Sequence, residues 1–397
     1  MTRARRAVVV ELVRTPFGRG RTEGALAGEH PVDLLAGVLS TLVERSGIDA
    51  ARVDDVIAGC SLPVGEQSGN IARHALLAAG MPESVPGVSI DRKCGSFQQA
   101  LHFAAQGVIA GSYDVAVASG VEMMSTVPMR TNRMGRDDQG PRLRARYPDG
   151  LVSQGISAEL IASRYGLSRP SLDAFALRSH QRAAAAQDEG RVARYVVPVI
   201  RGDGKRVDAD EGIRRTTSLA ALERLRPAFQ DPEMQERFPE IDWRVTAGNS
   251  SPVTDGAAAT LVVEESLAHR WGLRPLAAIT GGTVVGDDPI LMLMGVVPAT
   301  RKLLDRAGVR ADGIDRYEVN EAFASVVLAW QKNIAVDPET VNVDGGAIAY
   351  GHPIGASGAR LLAGLIEQLQ IPGVDKGVMT MCESGAMANA TLLEAPQ

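Results

Sequence analysis

The sequence is poor in aromatic side chains, has no excess of positive charge and contains no long apolar run. Aromatic residues make up only 4% of the chain, too few for the stacking platforms that bind single-stranded nucleic acid. A formal net charge of −5 disfavours a surface that follows phosphates, so we expect no nucleic-acid partner. No apolar run reaches the roughly 18 residues that a transmembrane helix needs, so we also expect no membrane partner.

Cysteine is equally scarce, since only Cys60, Cys94 and Cys382 occur. Three cysteines cannot form a disulfide framework or a four-thiolate metal site, and we expect no metal. The basic N-terminus leads directly into the strand-like run 7–13 rather than into the apolar core of a signal peptide. These features favour a reduced, cytoplasmic protein, and 397 residues are enough for two subdomains or more.

The two halves of the chain contain similar segments. Residues 42–54 align with residues 303–315, and each segment is typical of a helix end, a glycine and then a strand. Gly47 and Gly308 are predicted to end these helices in the left-handed conformation. Residues 88–91 and 114–118 find counterparts at 341–344 and 377–381, at nearly the same offset. Repeated matches of this kind indicate an internal duplication.

Strands alternate with helices of about 10–15 residues, which predicts parallel sheets covered by helices. We assign residues 1–125, together with about 244–275, to the first half and residues 276–397 to the second. The intervening residues 126–243 differ in character and begin with an arginine-rich stretch. We interpret them as an inserted subdomain on one face of the sheet core.

Cys94 lies where an apolar strand ends, a short polar turn follows and a helix begins. A helix N-terminus offers unpaired N–H groups and partial positive charge, which would stabilise a thiolate and could hold an oxyanion. An isolated cysteine is more often an inert part of the core. The other polar groups predicted near Cys94 favour the catalytic interpretation.

His352 lies in the glycine-rich segment 345–358, which precedes another helix-like run. Glycine allows close backbone approach to a ligand, and Pro353 fixes the chain direction after the histidine. A phosphate-binding loop is the competing interpretation, but neither the P-loop nor the dinucleotide spacing is present. In the repeat, His352 occupies the position that faces Cys94, which makes it a candidate base.

Two further polar residues follow apolar strands. Cys382 follows the strand-like run 377–381, and Asn320 follows the run 317–319. In an open α/β sheet such strand ends line the ligand crevice, so we expect both side chains in the same cleft.

Taken together, these motifs resemble the thiolase family along essentially the whole chain. The resemblance implies an α/β fold with a duplicated, five-layered αβαβα core of two similar halves and an inserted loop subdomain. The segments that support it are Arg14-Thr-Pro16, the Cys94-Gly-Ser helix start, Gly120-Val-Glu-Met-Met-Ser125, Ala247–Gly256, Asn320-Glu-Ala-Phe, Gly351-His-Pro and the late Cys382.

The resemblance also implies a role for each polar group. Cys94 is the nucleophile that carries the acyl group, and His352 is the base that activates it. Asn320 holds a water that forms, with His352, an oxyanion hole for the thioester enolate. Cys382 is the acid and base for the reacting carbon or the leaving group.

The backbone N–H groups of Cys94, Ser384 and Gly385 are implied to form a second oxyanion hole. Coenzyme A is the implied co-substrate, with no permanently bound cofactor. Arg214 is implied to lie near the adenine or its phosphate, although a solvated arginine is an equally good interpretation, and Ser251 near the pantetheine. The residues expected to contact CoA or the substrate are Arg214, Ser251, Met292 and Phe323.

The chain departs from the common family pattern at two places. Many thiolases have a His-Met pair where this chain has Ser153-Gln154, which puts a small acetoacetyl substrate in doubt. The usual glycine triplet after the last cysteine is here Ser384-Gly-Ala386, so Ser384 is expected to need a glycine's conformation. These features resemble actinobacterial thiolases of steroid or bulky-acid breakdown.

The expected activity is therefore a degradative 3-oxoacyl-CoA thiolase that releases acetyl-CoA or propionyl-CoA and a shortened acyl-CoA. A biosynthetic acetyl-CoA acetyltransferase would use the same residues in the opposite direction. A decarboxylating ketoacyl synthase would not require Cys382, and a non-catalytic acyl-CoA-binding relative would lack catalytic residues that this chain retains. By resemblance, we expect a homodimer or a homotetramer.

Overall fold

The computed structural model describes residues 5–396. Its strands are β1 (Ala7–Arg14), β2 (Gly18–Arg19), β3 (Asp55–Gly59), β4 (Gly87–Ile90), β5 (Val115–Met123), β6 (Val199–Ile200), β7 (Arg206–Val207), β8 (Thr254–Glu264), β9 (Ala277–Gly286), β10 (Arg316–Val319), β11 (Lys376–Glu383) and β12 (Met387–Glu394). Its α-helices are α1 (Pro31–Ser46), α2 (Ile71–Ala78), α3 (Ser96–Ala110), α4 (Gly140–Arg146), α5 (Gln154–Arg164), α6 (Arg169–Asp188), α7 (Leu219–Glu223), α8 (Pro232–Arg237), α9 (Glu265–Arg270), α10 (Val296–Ala307), α11 (Ala324–Ile334), α12 (Ala347–Tyr350) and α13 (Ser357–Gln368).

One large mixed sheet runs in the order β10-β11-β12-β9-β1-β8-β5-β3-β4, and β2 pairs with β8. Parallel pairing joins β3 to β4 and β5, and β10 to β11, while the remaining pairs in this sheet are antiparallel. The two halves meet where β1 pairs with β9 over three residues. Strand β8 is buried along all eleven residues, as expected for an apolar run covered on both faces.

Helices cover the sheet in layers. Helices α1 and α2 pack on the first half, and α10 and α11 belong to the apolar cluster of the second half. Helices α3 and α13 contact each other, and each also contacts strands of the other half, so they lie between the two halves. The predicted five-layered αβαβα core is therefore confirmed.

The duplicated segments have the same local structure in both halves. Gly47 ends α1 with φ 66°, and Gly308 ends α10 with φ 63°, so both adopt the predicted left-handed conformation. Because glycine has no Cβ atom, both residues adopt this conformation without steric cost. Each glycine is followed by a sheet strand, β3 in the first half and β10 in the second.

The duplication breaks down at residues 341–344, which match β4 in sequence but form no strand. Val341 makes a single backbone bridge to Tyr317. Asn342 has φ 48°, and its side chain bonds both the N–H and the C=O of Val319, at 2.8 and 2.9 Å. In the second half, an asparagine side chain thus forms the hydrogen bonds to Val319 on the outer edge of β10. In the first half, strand β4 occupies the equivalent position beside β3.

Residues 126–243 contain α4 to α8 and the short β6–β7 ladder. Helix α5 packs on α11, and α6 packs on α12. Arg14 of β1 forms a buried, two-pronged ion pair with Asp210, at 2.7 and 2.8 Å. Removing one partner of a buried ion pair leaves the other charge buried and unpaired, which costs about 3–5 kcal/mol of stability. The motif that begins at Arg14 therefore ties this segment to the sheet.

Candidate active site

Cys94 lies in a tight turn between β4 and α3, and its side chain is buried. Lys93, just before it, has φ 49°, an unusual conformation for a residue with a side chain. Gly95, just after it, has no room for a side chain, since an added Cβ would lie 2.0 Å from the Oε1 atom of Glu383. Strand β11 therefore presses directly on the turn that presents the cysteine.

The protonation state of Cys94 differs from the expectation of a stabilised thiolate. Burial, reinforced by the nearby Glu383 carboxyl, raises the pKa of the Cys94 thiol to about 12. Hydrogen bonds from the Gln154 side chain and from the N–H groups of Ser384 and Cys94 lower it, but burial is the larger effect. The expected stabilisation by the helix N-terminus is therefore outweighed, and the resting sulfur is a thiol that needs a base.

His352 is held so that one of its ring nitrogens has no hydrogen-bond partner within residues 5–396. Its Nδ1 lies 2.5 Å from the Oγ of Ser357, and this hydroxyl donates to the carbonyl of Pro353 at 2.7 Å. A hydroxyl has one proton, so Ser357 must accept from Nδ1–H. The Nε2 atom is then left with a lone pair, and no group within residues 5–396 bonds it.

The electrostatic surroundings keep His352 neutral. Burial, and secondarily the positive charge of Arg360, lower the pKa of His352 to about 4. The imidazole is therefore uncharged near neutral pH. Its backbone N–H donates to the Oγ1 of Thr254 at 2.9 Å, which fixes the ring's attachment point.

The turns that present Cys94 and His352 meet at Gly59. A Cβ atom added there would lie 2.7 Å from the carbonyl carbon of Ser96 and 2.8 Å from the carbonyl oxygen of Gly355. Glu122 fixes the second turn by accepting from the Gly355 N–H at 2.9 Å. The sequence repeat predicted that the two loops face each other, and the structure places them in contact.

Cys382 also reaches this region, and Asn320 follows the strand that pairs with β11. Cys382 is fully buried in β11, where burial and the adjacent Cys94 raise its thiol pKa well above the ordinary value. Asn320 follows β10 and is fully buried, yet neither atom of its amide has a hydrogen-bond partner in the described part of the chain. A buried, unpaired amide is available to hold a water or a substrate oxygen.

The turn after Cys382 differs from the expectation for Ser384. Ser384 does not have a positive φ, whereas Gly385 has φ 83° and Ala386 has φ 59°. The glycine-like conformation thus falls on the two later residues. The Ala386 carbonyl accepts from the Asp287 N–H at 2.8 Å, which helps to hold the turn. The Ser384 N–H remains directed at Cys94, as the predicted oxyanion role requires.

Glu383 is a buried carboxyl that the sequence reasoning missed. Neither of its oxygens has a hydrogen-bond partner within the described residues. Burial raises the pKa of Glu383 to about 8, while Arg92 lowers it and Asp91 raises it further. Its position after the strand-end cysteine was visible in the sequence, but its burial depends on the contact with Gly95. Near neutral pH this carboxyl is largely uncharged, which avoids a second negative charge beside Cys94.

A cavity of about 140 Å³ lies between the sheet core and residues 126–243. Arg214 lines this cavity together with Arg19 and Arg21. Burial is the main cause that lowers the pKa of Arg214, and the positive charges of Arg19 and Arg21 lower it further. Val253 also lines it and forms a backbone bridge with His352, so the cavity adjoins the segment that presents the base. Sequence reasoning missed Arg19 and Arg21, whose only signal was their position shortly after the Arg14 motif.

The remaining predicted contact residues are divided between two places. Ser251 does not line the cavity, although Ser250 and Pro252 do, and its hydroxyl donates to the Ala322 carbonyl at 3.1 Å. Met292 and Phe323 are instead buried in the same apolar cluster as Cys382.

No group of three or more His, Cys, Asp or Glu residues within 5–396 is arranged to hold a metal ion. No helix in the same range is long and apolar enough to cross a membrane.

Comparison with known proteins gives full-length matches. Residues 7–266 match the model described as the thiolase N-terminal domain, and residues 273–395 match the thiolase C-terminal domain. The chain is 43% identical to a steroid 3-ketoacyl-CoA thiolase of Mycobacterium tuberculosis, covering 98% of this chain and 94% of that protein. It is 39% identical to a 3-ketoacyl-CoA thiolase of Bacillus subtilis and 40% identical to an acetyl-CoA acetyltransferase of Chromobacterium violaceum, covering 98% of this chain and 99% of each relative.

Proposed function

The chain belongs to the thiolase family and is an acyltransferase, and from this premise we propose that it degrades 3-oxoacyl-CoA through an acyl-Cys94 intermediate. CoA is the second substrate, and the products are acetyl-CoA or propionyl-CoA and a shortened acyl-CoA. The observation that supports this most strongly is a buried thiol, Cys94, and a neutral histidine whose free Nε2 has a lone pair, on two turns that both contact Gly59.

In the first step, the Nε2 atom of His352 removes the proton from the Cys94 thiol, and the sulfur attacks the 3-keto carbon of the substrate. The carbon–carbon bond then breaks, and its electron pair moves onto the departing thioester as an enolate. Cys382 protonates that enolate at carbon, since a buried thiol with a raised pKa is a proton donor. Acetyl-CoA leaves, and the shortened acyl group stays on Cys94.

In the second step, the thiol of CoA attacks the carbonyl carbon of acyl-Cys94. The Cys382 thiolate left by the first step removes the proton from the CoA thiol. The bond between the acyl carbon and the Cys94 sulfur then breaks, and the proton held by His352 returns to that sulfur, so every group regains its resting state. The acyl group is transferred from one thioester to another, so the energy of the thioester bond is retained.

Two groups of donors stabilise the oxyanions of these steps. The N–H groups of Cys94 and Ser384, which already point at the sulfur, donate to the tetrahedral oxyanion together with the Gly385 N–H. The unpaired Asn320 amide holds a water beside His352 for the enolate oxygen. Losing one such donor costs about 10²–10³ in rate.

The CoA nucleotide occupies the cavity beside residues 126–243. Arg19, Arg21 and Arg214 place three guanidinium groups there, and CoA has three phosphates to pair with them. The pantetheine arm then passes Ser250 and Val253 toward His352, and Ser251, whose N–H and hydroxyl both donate to the Ala322 carbonyl, helps to hold this segment in place. Met292 and Phe323 contact the acyl group from the apolar cluster that contains Cys382.

The degradative direction is favoured over biosynthesis of acetoacetyl-CoA. Relatives at 43% and 39% identity are named 3-ketoacyl-CoA thiolases, the first of them for a steroid 3-ketoacyl-CoA, although one at 40% is named an acetyl-CoA acetyltransferase. A polar glutamine replaces the common methionine at position 154 beside the nucleophile, which changes the pocket wall. A bulky acyl group is therefore our preferred substrate class.

The decisive experiment measures CoA-dependent cleavage of short, long and polycyclic 3-oxoacyl-CoAs by the purified protein. We expect the highest kcat/KM with a bulky or polycyclic acyl group and the lowest with acetoacetyl-CoA. Equal or better use of acetoacetyl-CoA, with net synthesis from acetyl-CoA, would favour the biosynthetic alternative. Absence of cleavage with every substrate would favour a non-catalytic relative.

The same assay with dephospho-CoA in place of CoA tests the arginine cavity. Removing the 3′-phosphate should raise KM for the acceptor several-fold and leave kcat nearly unchanged, because the phosphate is remote from the reacting sulfur. An unchanged KM would show that these arginines do not bind the 3′-phosphate of CoA.

We also propose that the protein is a homo-oligomer that pairs through β4. This strand is one end of the sheet, and its outer edge meets no other strand within residues 5–396. Val88 on β4 and Leu77 on α2 are each about two-fifths exposed, which leaves an apolar edge that soluble proteins normally cover. Light scattering of the purified chain measures the assembly, and a monomer at micromolar concentration would contradict it.

A further inference from the structure

Gln154 makes the one side-chain hydrogen bond to the Cys94 sulfur in residues 5–396. Its Nε2 lies 4.0 Å from Sγ, within the longer range that sulfur acceptors allow. The residue is half-buried and begins α5, so it comes from residues 126–243 rather than from the sheet core. The segment that was predicted only as a pocket wall therefore reaches the nucleophile itself.

The start of α5 is held firmly in place. Ser153 caps the helix by accepting from the Ile156 N–H at 3.4 Å. Gly155 has no room for a side chain, because an added Cβ would lie 2.2 Å from the ring of Phe229. Glu159, one turn further, accepts from two backbone N–H groups at 2.8 Å each. The Gln154 amide is thus presented to the sulfur by a rigid element.

We propose that Gln154 is a further catalytic residue, which donates a hydrogen bond to the Cys94 sulfur whenever that sulfur is negatively charged. The proposal deepens the function proposed above and rests on it. A thiolate is a strong acceptor, whereas a thioester sulfur is a weak one, so the bond is strongest in the charged states.

Both chemical steps pass through such a state. In acylation, the Cys94 proton moves to His352 Nε2 and leaves a negative charge on sulfur. In deacylation, the bond between sulfur and the acyl carbon breaks and the electron pair returns to sulfur. Since burial opposes this charge, a neutral amide donor offsets part of that effect without adding a competing base. The methionine found here in many thiolases has no proton to donate.

The test uses the pH dependence of Cys94 alkylation by iodoacetamide, measured on the whole protein by mass spectrometry of the Cys94 peptide. The groups that face Cys94 are Cys382 and Glu383 of β11 and His352, and all are unchanged in the variants. We expect Gln154→Met to lower the alkylation rate at pH 8 about tenfold, equivalent to a thiol pKa about one unit higher. Gln154→Glu should lower it further, because it places a carboxylate beside the sulfur.

Gln139→Met is the matched control, since Gln139 lies in the same segment, is half-buried like Gln154, and its side chain bonds no group within residues 5–396. Its alkylation profile should equal that of the unaltered protein. In turnover, Gln154→Met should lower kcat and leave KM for CoA nearly unchanged.

An alkylation profile that Gln154→Met and Gln154→Glu both leave unchanged would overturn the proposal. A raised KM with unchanged alkylation would also overturn it and make Gln154 part of the substrate pocket. Should Gln154→Met fail to fold, the Gln154→Glu profile decides. Alkylation requires no substrate, so its outcome is independent of whether the protein cleaves 3-oxoacyl-CoA.

Discussion

Replacing Cys94 with serine should abolish formation of the acyl-enzyme and reduce turnover by a factor on the order of 10⁴ or more. The hydroxyl of serine is far less acidic than a thiol, and the same burial that raises the Cys94 pKa would oppose an alkoxide even more strongly. His352, whose own pKa lies near 4, is too weak a base to compensate. Intact-mass spectrometry after incubation with a 3-oxoacyl-CoA detects the added acyl group directly.

Cys60→Ser is the appropriate control for that experiment. Cys60 is buried as deeply as Cys94 but lies at the end of β3 and contacts none of the proposed catalytic groups that bond the Cys94 sulfur. This variant should still acquire one acyl group, even if its stability falls. Near-normal turnover by Cys94→Ser, or acylation that disappears equally in both variants, would contradict the assignment of the nucleophile.

Replacing Cys382 with alanine should separate the two half-reactions. Breaking the carbon–carbon bond requires a proton for the departing enolate, and losing a positioned acid costs about 10²–10⁴ in rate. Transfer of an acyl group between CoA and Cys94 requires no such proton at carbon, so Cys382→Ala should retain it in part. Thiolytic cleavage is measured with a 3-oxoacyl-CoA, and transfer is measured as exchange between a simple acyl-CoA and labelled CoA.

The pattern of the two rates distinguishes this role from a structural one. Loss of cleavage with retained exchange is the expected result. Equal loss of both would indicate that the cavity left by the side chain disturbs Cys94, and the assignment to Cys382 would be wrong. Normal cleavage would also reject it. Cys60→Ala, which removes another buried thiol that follows β3 and so lies away from β11 in the sheet, should leave the ratio of the two rates unchanged.

The main features of the fold followed from local patterns in the sequence. Gly47 and Gly308 have the left-handed conformation that their position after an amphipathic helix predicted. The αβαβα layers followed from the duplicated strand and helix pattern and from the family resemblance. The turns at Cys94 and His352 could be placed because glycine permits tight turns and proline fixes φ within a few residues, independent of distant contacts.

Features that depend on contacts between distant segments could not be predicted. The resting state of Cys94 depends on how completely the sulfur is buried, and a motif does not report burial. The free Nε2 of His352 depends on the direction in which Ser357 donates its single proton. Gln154 was recognised as a departure from the family, but its approach to sulfur depends on how α5 packs against the core.

The replacement of a strand by the side chain of Asn342 makes the two ends of the sheet unequal. At β10 the backbone of Val319 is already saturated by that side chain, whereas the outer edge of β4 still has hydrogen-bonding capacity. A chain with two open edges could add copies at both ends and grow into a fibre. With one open edge, two copies related by a twofold axis can pair their edge strands with each other. No unpaired edge then remains for a third copy, so growth from edge to edge stops at a dimer. The Asn342 side chain thereby closes one of the two sheet edges to pairing with another strand at Val319.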